Sequence, residues 1–163
     1  MRTLLFGLGN SILSDDAIGL VVARRVHEIL GQERADLVEA SVAGMDVVDL
    51  VAGYEKVVII DAITTGDGEV GRLYWLGPDD ILSTPRLASA HDMSLGESLA
   101  LGRRLGLPMP DEVVVCAIEV LDTFTFGETL SPEVARLVPQ IVSAIVHAQF
   151  GDGQAATAVG RSE

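Results

Sequence analysis

Cysteine, positive charge and long apolar runs are all scarce in this 163-residue sequence. The only cysteine is Cys116, so the chain has neither an internal disulfide nor a cysteine-based zinc site. Eleven Lys and Arg against 24 Asp and Glu give a net charge of −13, which argues against nucleic-acid partners and anionic membranes. No apolar run approaches the roughly 18 residues of a membrane span. We therefore expect a cytoplasmic protein.

The remaining composition is that of a globular chain. Hydrophobic residues make up 48% of it, too many for an acidic disordered protein, and its length suits one domain. The start of the chain, at Met1, predicts a strand rather than a signal peptide, because its apolar run is short. Cys116 lies within an apolar run and is expected to be a buried, inert thiol. We predict one domain over residues 1–150 and a flexible tail, rich in Gly, Ala and Ser, over 151–163.

Short apolar runs alternate along the chain with helical patterns. The run Val57 to Ile60 consists of β-branched residues without alternation, which indicates a strand buried on both faces. Pro139 lies inside the last helical pattern and is expected to kink it. This order predicts an α/β fold with a mostly parallel, twisted central sheet covered on both faces. Strands are predicted at 3–8, 36–40, 57–60, 71–76 and 113–118, and helices at 18–30, 44–53, 94–105 and 132–146.

Acidic residues follow several predicted strands, where ligands of such sheets bind. Asp15 and Asp16 follow the first strand, Asp61 follows Val57–Ile60, and Glu119 and Asp122 follow the strand at 113–118.

Of the three histidines, only His91 stands in irregular chain at the mouth of a helix. His27 and His147 fall near the ends of predicted helices. Asp16, Asp61 and His91 would supply two oxygen ligands and one nitrogen ligand to a metal, leaving other positions open.

Simpler roles are also open for these residues. Asp15 or Asp16 can cap the following helix, Asp61 can bond loop N–H groups, and His91 can be a polar loop residue. A dinucleotide site after Gly7-Leu8-Gly9 is disfavoured, because Ile12 replaces the third glycine of the fingerprint. Spacing alone does not show that the three candidate ligands meet in space.

Five segments, in order, resemble the nickel-iron hydrogenase maturation endopeptidases. Together they cover about residues 3–146, and all five in the right order are hard to obtain by chance. The segments are Gly7-Leu8-Gly9-Asn10 with Asp15-Asp16-Ala17-Ile18-Gly19, then Ala43-Gly44-Met45, Asp61-Ala62, Ser89-Ala90-His91, and Gly127 to Val134.

The resemblance implies a three-layer α/β/α sandwich, with residues 1–150 as a single peptidase domain. It also implies an enzyme that removes the C-terminal extension of a nickel-iron hydrogenase large-subunit precursor after nickel insertion. The family's metal-binding and catalytic trio carries over onto Asp16, Asp61 and His91. The implied metal is nickel supplied by the substrate, for which other divalent metals are expected to substitute.

Two other functions stay open beside this one. The same trio would serve a non-catalytic chaperone that checks the large subunit for nickel. A Rossmann-like enzyme acting on a small molecule is the second, although Ile12 and Asp16 argue against a nucleotide there. Whether the metal polarises the scissile carbonyl, activates a water or only docks the substrate also stays open, as does a carboxylate acting as base.

Overall fold

The computed structural model describes residues 1–40, 47–80 and 95–151. Five strands and four α-helices lie within these ranges, together with a short 3-10 helix at Ser14–Ala17. The strands are β1 (Thr3–Leu8), β2 (Asp36–Ala40), β3 (Lys56–Ile63), β4 (Leu73–Leu76) and β5 (Glu112–Glu119). The helices are α1 (Ile18–Leu30), α2 (Val47–Val51), α3 (Leu95–Arg104) and α4 (Pro132–Phe150).

The strands form one sheet in the order β2-β1-β3-β5-β4. β1 pairs in parallel with β2 and β3, and β3 pairs in parallel with β5. β4 is antiparallel to β5 at the edge of the sheet. Because β2 and β3 lie on opposite sides of β1, the connections leaving β1 and β2 turn in opposite directions across the sheet.

Alternate residues of the central strands build two separate cores, as the period of a strand requires. Leu5, Ile60 and Ile118 face one core, which α1 and α4 cover. Phe6 and Ile59 face the other core, which Val51 of α2 and Leu95 and Leu99 of α3 cover. The molecule is therefore a three-layer α/β/α sandwich.

The structure confirms the predicted fold class and most element positions. β4 begins at Leu73 rather than at 71, because the chain turns through Gly71, which has a φ of 88°. α4 continues through Pro139 as one helix. Predictions that fall on 41–46, 81–94 and the tail from 152 lie outside the described residues, as does the start of the helix predicted at 44–53.

The end of α4 packs at the amino ends of the strands. Lys56 donates to the carbonyl of Gln149 at 3.1 Å, and Arg34 donates to that of Phe150 at 2.7 Å. Both cations thus bond the final carbonyls of a helix, where the helix dipole favours positive charge. The N-terminal amine of Met1 lies 4.0 Å from the carboxylate of Glu55, the residue before Lys56.

Among the helices of the described ranges, none combines the length and the apolar character that crossing a bilayer requires.

Candidate active site

The crevice at the carboxyl ends of β1 and β3 is the expected binding place of this topology. In open α/β sheets, ligands bind where the chain connections leave in opposite directions, outside the carboxyl ends of the strands. Here β1 continues into α1 and then β2 on one side, while β3 lies on the other side. The register places Ile60 beside Gly7, so Asp61 follows at the level where β1 ends.

Glycines let α1 approach these two strands closely. A Cβ on Gly19 would lie 2.1 Å from the carbonyl oxygen of Leu8 and 2.4 Å from that of Ile60. A Cβ on Gly9 would lie 2.3 Å from the carbonyl oxygen of Asp16. Real Cβ atoms do not come this near to backbone, so only glycine fits at both positions. The 3-10 helix that carries Asp16 is therefore held against the end of β3.

Asp16 and Asp61 are both buried at the carboxyl ends of β1 and β3. Asp61 shares the strand face of Val57 and Ile59, which is the side covered by α2 and α3. Its Oδ1 accepts a hydrogen bond from the N–H of Ala62 at 2.8 Å. The topology thus brings two of the three predicted ligands to one corner of the molecule.

The third predicted ligand, His91, lies outside the described residues, as do Ser89 and Ala90. Within 1–40, 47–80 and 95–151, no group of three or more His, Cys, Asp or Glu side chains is arranged to hold a metal ion. Two carboxylates therefore make up the described part of the predicted trio, and the imidazole remains a prediction.

Asp15 has a different task from its neighbour. Its buried carboxylate accepts hydrogen bonds from Ser131 N–H at 2.7 Å, Ser131 Oγ–H at 2.9 Å and Asp122 N–H at 3.1 Å. It ties the loop after β1 to the loop after β5 and to the start of α4. The suggestion that Asp15 or Asp16 caps α1 is wrong, because the N-cap residue is Ala17, whose methyl side chain cannot accept a hydrogen bond from a helix N–H.

Glu119, at the end of β5, holds the turn that follows β3. Its buried carboxylate accepts hydrogen bonds from the N–H of Thr65, at 2.9 Å, and from the Thr65 hydroxyl. The Thr65 Oγ1 in turn accepts from the N–H of Gly68 at 2.9 Å. Glu119 is thus a structural acid that fixes the chain beyond Asp61.

The other two histidines lie away from this edge. His27 is in the last turn of α1 and His147 in the last turn of α4, at the amino ends of the strands. Neither belongs to the candidate site.

Sequence reasoning missed the partners of the buried acids. Ser131 is the N-cap residue of α4, but its hydroxyl donates to Asp15 instead of capping the helix. Thr65, the partner of Glu119, stands in the turn after β3, where no sequence pattern indicates a role for it. The one local signal in the sequence is an acid directly beside a candidate ligand, as Asp15 is beside Asp16. This signal does not identify Ser131 as the residue that the acid binds.

The fold and the site define an α/β enzyme whose described reactive groups are carboxylates at the point where the connections of the sheet change direction. The family model for hydrogenase maturation proteases matches residues 20–148. The chain belongs to this family. It is a hydrolase, an endopeptidase of hydrogenase maturation.

Individual relatives agree with the family match. The chain is 24% identical to the hydrogenase 2 maturation protease of Escherichia coli, over 89% of this chain and 84% of that protein. The structure of the E. coli endopeptidase HybD superposes with a TM-score of 0.67, at 24% identity and 91% coverage of each chain. HybD from Thermococcus kodakarensis, a NiFe hydrogenase maturation protease, gives a TM-score of 0.61 at 26% identity, over 91% of this chain and 99% of that chain.

Proposed function

We propose that this enzyme removes the C-terminal extension of a nickel-iron hydrogenase large-subunit precursor after nickel has been inserted. The observation that carries the proposal is the pair of buried carboxylates, Asp16 and Asp61, at the carboxyl ends of β1 and β3. Gly19 allows the start of α1 to pack closely against these two strands. The family membership supplies the reaction class. The proposed setting is the cytoplasm, an expectation drawn from composition.

The donor chemistry of the predicted trio suits a borderline divalent ion. Two carboxylate oxygens, with the imidazole of His91, make an incomplete ligand set that leaves positions for ligands from elsewhere. In this proposal the metal is the nickel of the substrate, which brings its own ligands. Other divalent ions are expected to substitute for it in binding experiments.

Nickel would then act as the recognition element of the reaction. Asp16, Asp61 and His91 gain binding energy only from a loaded precursor, so a metal-free precursor is left uncut. Selectivity of this kind depends on groups that the wrong substrate leaves without a partner. Both carboxylates are buried before the substrate arrives, which limits the ordering cost of binding.

Intact mass spectrometry on the precursor tests the proposal. The nickel-loaded and nickel-free precursors are each incubated with the wild-type enzyme and with Asp16→Asn, Asp61→Asn or His91→Ala variants. We expect loss of one C-terminal peptide, from the loaded form and with the wild type only. Asp67→Asn, which changes an exposed acid of the β3–β4 turn, is the matched control and is expected to cleave normally.

Three results would contradict the proposal. Equal cleavage of the nickel-free precursor would remove nickel as the recognition element. A folded His91→Ala variant with full activity would remove that residue from the trio. Binding of the loaded precursor without any change of mass would favour the nickel-checking chaperone.

A further inference from the structure

Apolar side chains are exposed beside the candidate active site. Phe124 and Phe126 are 83% and 80% exposed, and Leu121 and Ile12 are 52% and 47% exposed. We call these four residues the apolar rim. Scattered single apolar residues are ordinary on protein surfaces, whereas large apolar patches mark interaction sites.

Backbone hydrogen bonds hold the apolar rim in place. The N–H of Gly127 donates to the carbonyl of Ile12 at 2.9 Å, and the N–H of Ser14 donates to the carbonyl of Gly127 at 2.9 Å. Asp122 Oδ1 accepts from the N–H groups of Phe124 and Thr125, both at 2.9 Å. The two phenylalanines are thus exposed on an ordered loop, which reduces the entropy lost when a partner binds.

The apolar rim is joined directly to the candidate active site. Asp15, which precedes Asp16, is bonded through its backbone and its carboxylate to Asp122 and through its carboxylate to Ser131. A substrate bound at Asp16 would therefore lie at the same end of the sheet as the rim. The rim is placed to contact substrate residues that flank the cleaved bond.

The two loops that form the apolar rim carry no positively charged side chain. No Lys or Arg occurs in residues 3–23 or 105–135, which include both loops. Asp122 and the exposed Glu128 lie on the second loop. Hydrogen bonds from the side chain and backbone of Thr125, and from the backbone of Phe124, lower the pKa of Asp122, so its carboxylate stays ionised at neutral pH. Charge complementarity thus favours a partner with basic residues.

We propose that the apolar rim docks an apolar segment, flanked by Lys or Arg, in the C-terminal region of the hydrogenase precursor. The inference rests on the proposed function and extends it, because it assigns substrate selection to residues outside the predicted metal-binding trio. Exposed aromatic anchors on an ordered loop are typical of such contacts.

Steady-state cleavage of the nickel-loaded precursor by a Phe124→Ala/Phe126→Ala variant tests this docking. We expect KM to rise at least about tenfold while kcat stays within about twofold, because the contact is made equally in the ground and transition states. A Phe124→Tyr/Phe126→Tyr variant, which keeps both rings, is expected to restore KM. The matched control is Ile29→Ala/Leu105→Ala, which truncates two exposed residues at the opposite end of the sheet.

Charge is tested on the same reaction. Raising NaCl from about 50 mM to about 300 mM is expected to raise the wild-type KM, because salt screens attraction between exposed charges. Replacing the Lys and Arg residues of the extension by Gln is expected to raise KM and to abolish this salt dependence.

The outcomes separate this inference from the proposed function. If the wild type leaves the loaded precursor uncut, the proposed function fails. If the wild type cleaves it and the Phe124→Ala/Phe126→Ala variant has an unchanged KM, only the docking is overturned. An unchanged KM together with a lower sedimentation mass of that variant would identify the rim as a contact between copies of this chain. Thermal unfolding of each variant verifies that it is folded.

Discussion

Two neighbouring aspartates at the start of the chain have separate tasks. The carboxylate of Asp15 accepts three hydrogen bonds from the loop after β5 and the start of α4. Asp16 belongs to the candidate site, at the same edge of the sheet as Asp61. A conservative change of Asp15 is therefore expected to affect stability and loop position, whereas the same change of Asp16 is expected to affect the reaction.

Replacing Asp15 by alanine should destabilise the protein by about 3 kcal/mol, because three hydrogen bonds to one buried carboxylate are lost. Urea unfolding measures this loss. Ser131→Ala, which removes only the hydroxyl partner, should cost about 1 kcal/mol, and a double-mutant cycle should show that the two changes are coupled. A loss for Asp15→Ala no larger than that for the exposed Asp67→Ala would contradict the clamp.

Cys116 is expected to resist alkylation in the native state. Burial raises the pKa of its thiol to about 12, so the reactive thiolate is absent at neutral pH. Above an unfolded pKa of 9.0, the thiol ionises in the unfolded chain but not in the folded one, so it lowers stability as pH rises. Iodoacetamide labelling with and without urea tests this, and rapid labelling of the folded protein would contradict it.

At this scale the sequence indicated which residue types cluster but not which side chains meet. Asp15, Asp16 and Asp61 were all recognised as acids at the ends of strands. The bond between Asp15 and Ser131 joins residues 116 positions apart, and no local pattern encodes such a pairing. Two adjacent acids in one helical turn point in different directions, so their sequence alone leaves the assignment of roles open.

The elements meet most tightly where α1 begins. Gly7 and Gly19 remove the side chains that would separate the helix from the strands, since a Cβ on Gly7 would lie 2.9 Å from both Ala23 Cβ and the Gly19 carbonyl oxygen. Gly7, the first glycine of the segment that suggests a nucleotide fingerprint, thus has a packing role here. It allows close packing of a helix across β1 and β3.

Gly19→Ala should therefore destabilise the protein by at least about 2 kcal/mol, although alanine is the better helix former. The added methyl group meets backbone atoms of two strands, which cannot move aside as a flexible side chain does. Thermal unfolding measures the effect. Gly127→Ala, where a Cβ meets no atom within 4 Å, is the matched stability control. Equal stability of the two variants would refute the packing argument.

Elements were easier to predict than their pairing. Uninterrupted apolar runs such as Val57–Ile60 indicate the central strands, and helical patterns at 18–30 and 132–146 indicate α1 and α4. The antiparallel direction of β4 was not predicted, because a four-residue edge strand carries no sign of its direction. The 3-10 helix was missed for a similar reason, since four residues are too few for a periodic signal.

The whole molecule carries a net charge of −13, which acts on stability as well as on partners. The ion pairs within the described residues each include an exposed side chain and so contribute little. Self-repulsion is then the larger electrostatic effect on the folded state.

Added salt should therefore stabilise the protein at neutral pH. We expect the Tm to rise by a few degrees when NaCl is raised to about 0.5 M, because screening weakens repulsion between carboxylates. Near pH 4.4, the isoelectric point of the sequence, the same addition should have little effect. Calorimetry at both pH values measures this, and a Tm that falls with salt at neutral pH would show that ion pairs dominate.

The packing at the amino ends of the strands has a practical consequence for handling this enzyme. Met1 contacts Glu55, and the last turn of α4 contacts Lys56, so the beginning of the chain and the end of α4 both lie at the start of β3. Asp61 is near the other end of that strand. A short peptide linker between Met1 and residue 150 would therefore join two places that lie on the side of the sheet away from the candidate site. An affinity tag fused before Met1 would likewise stand at the opposite pole from Asp16.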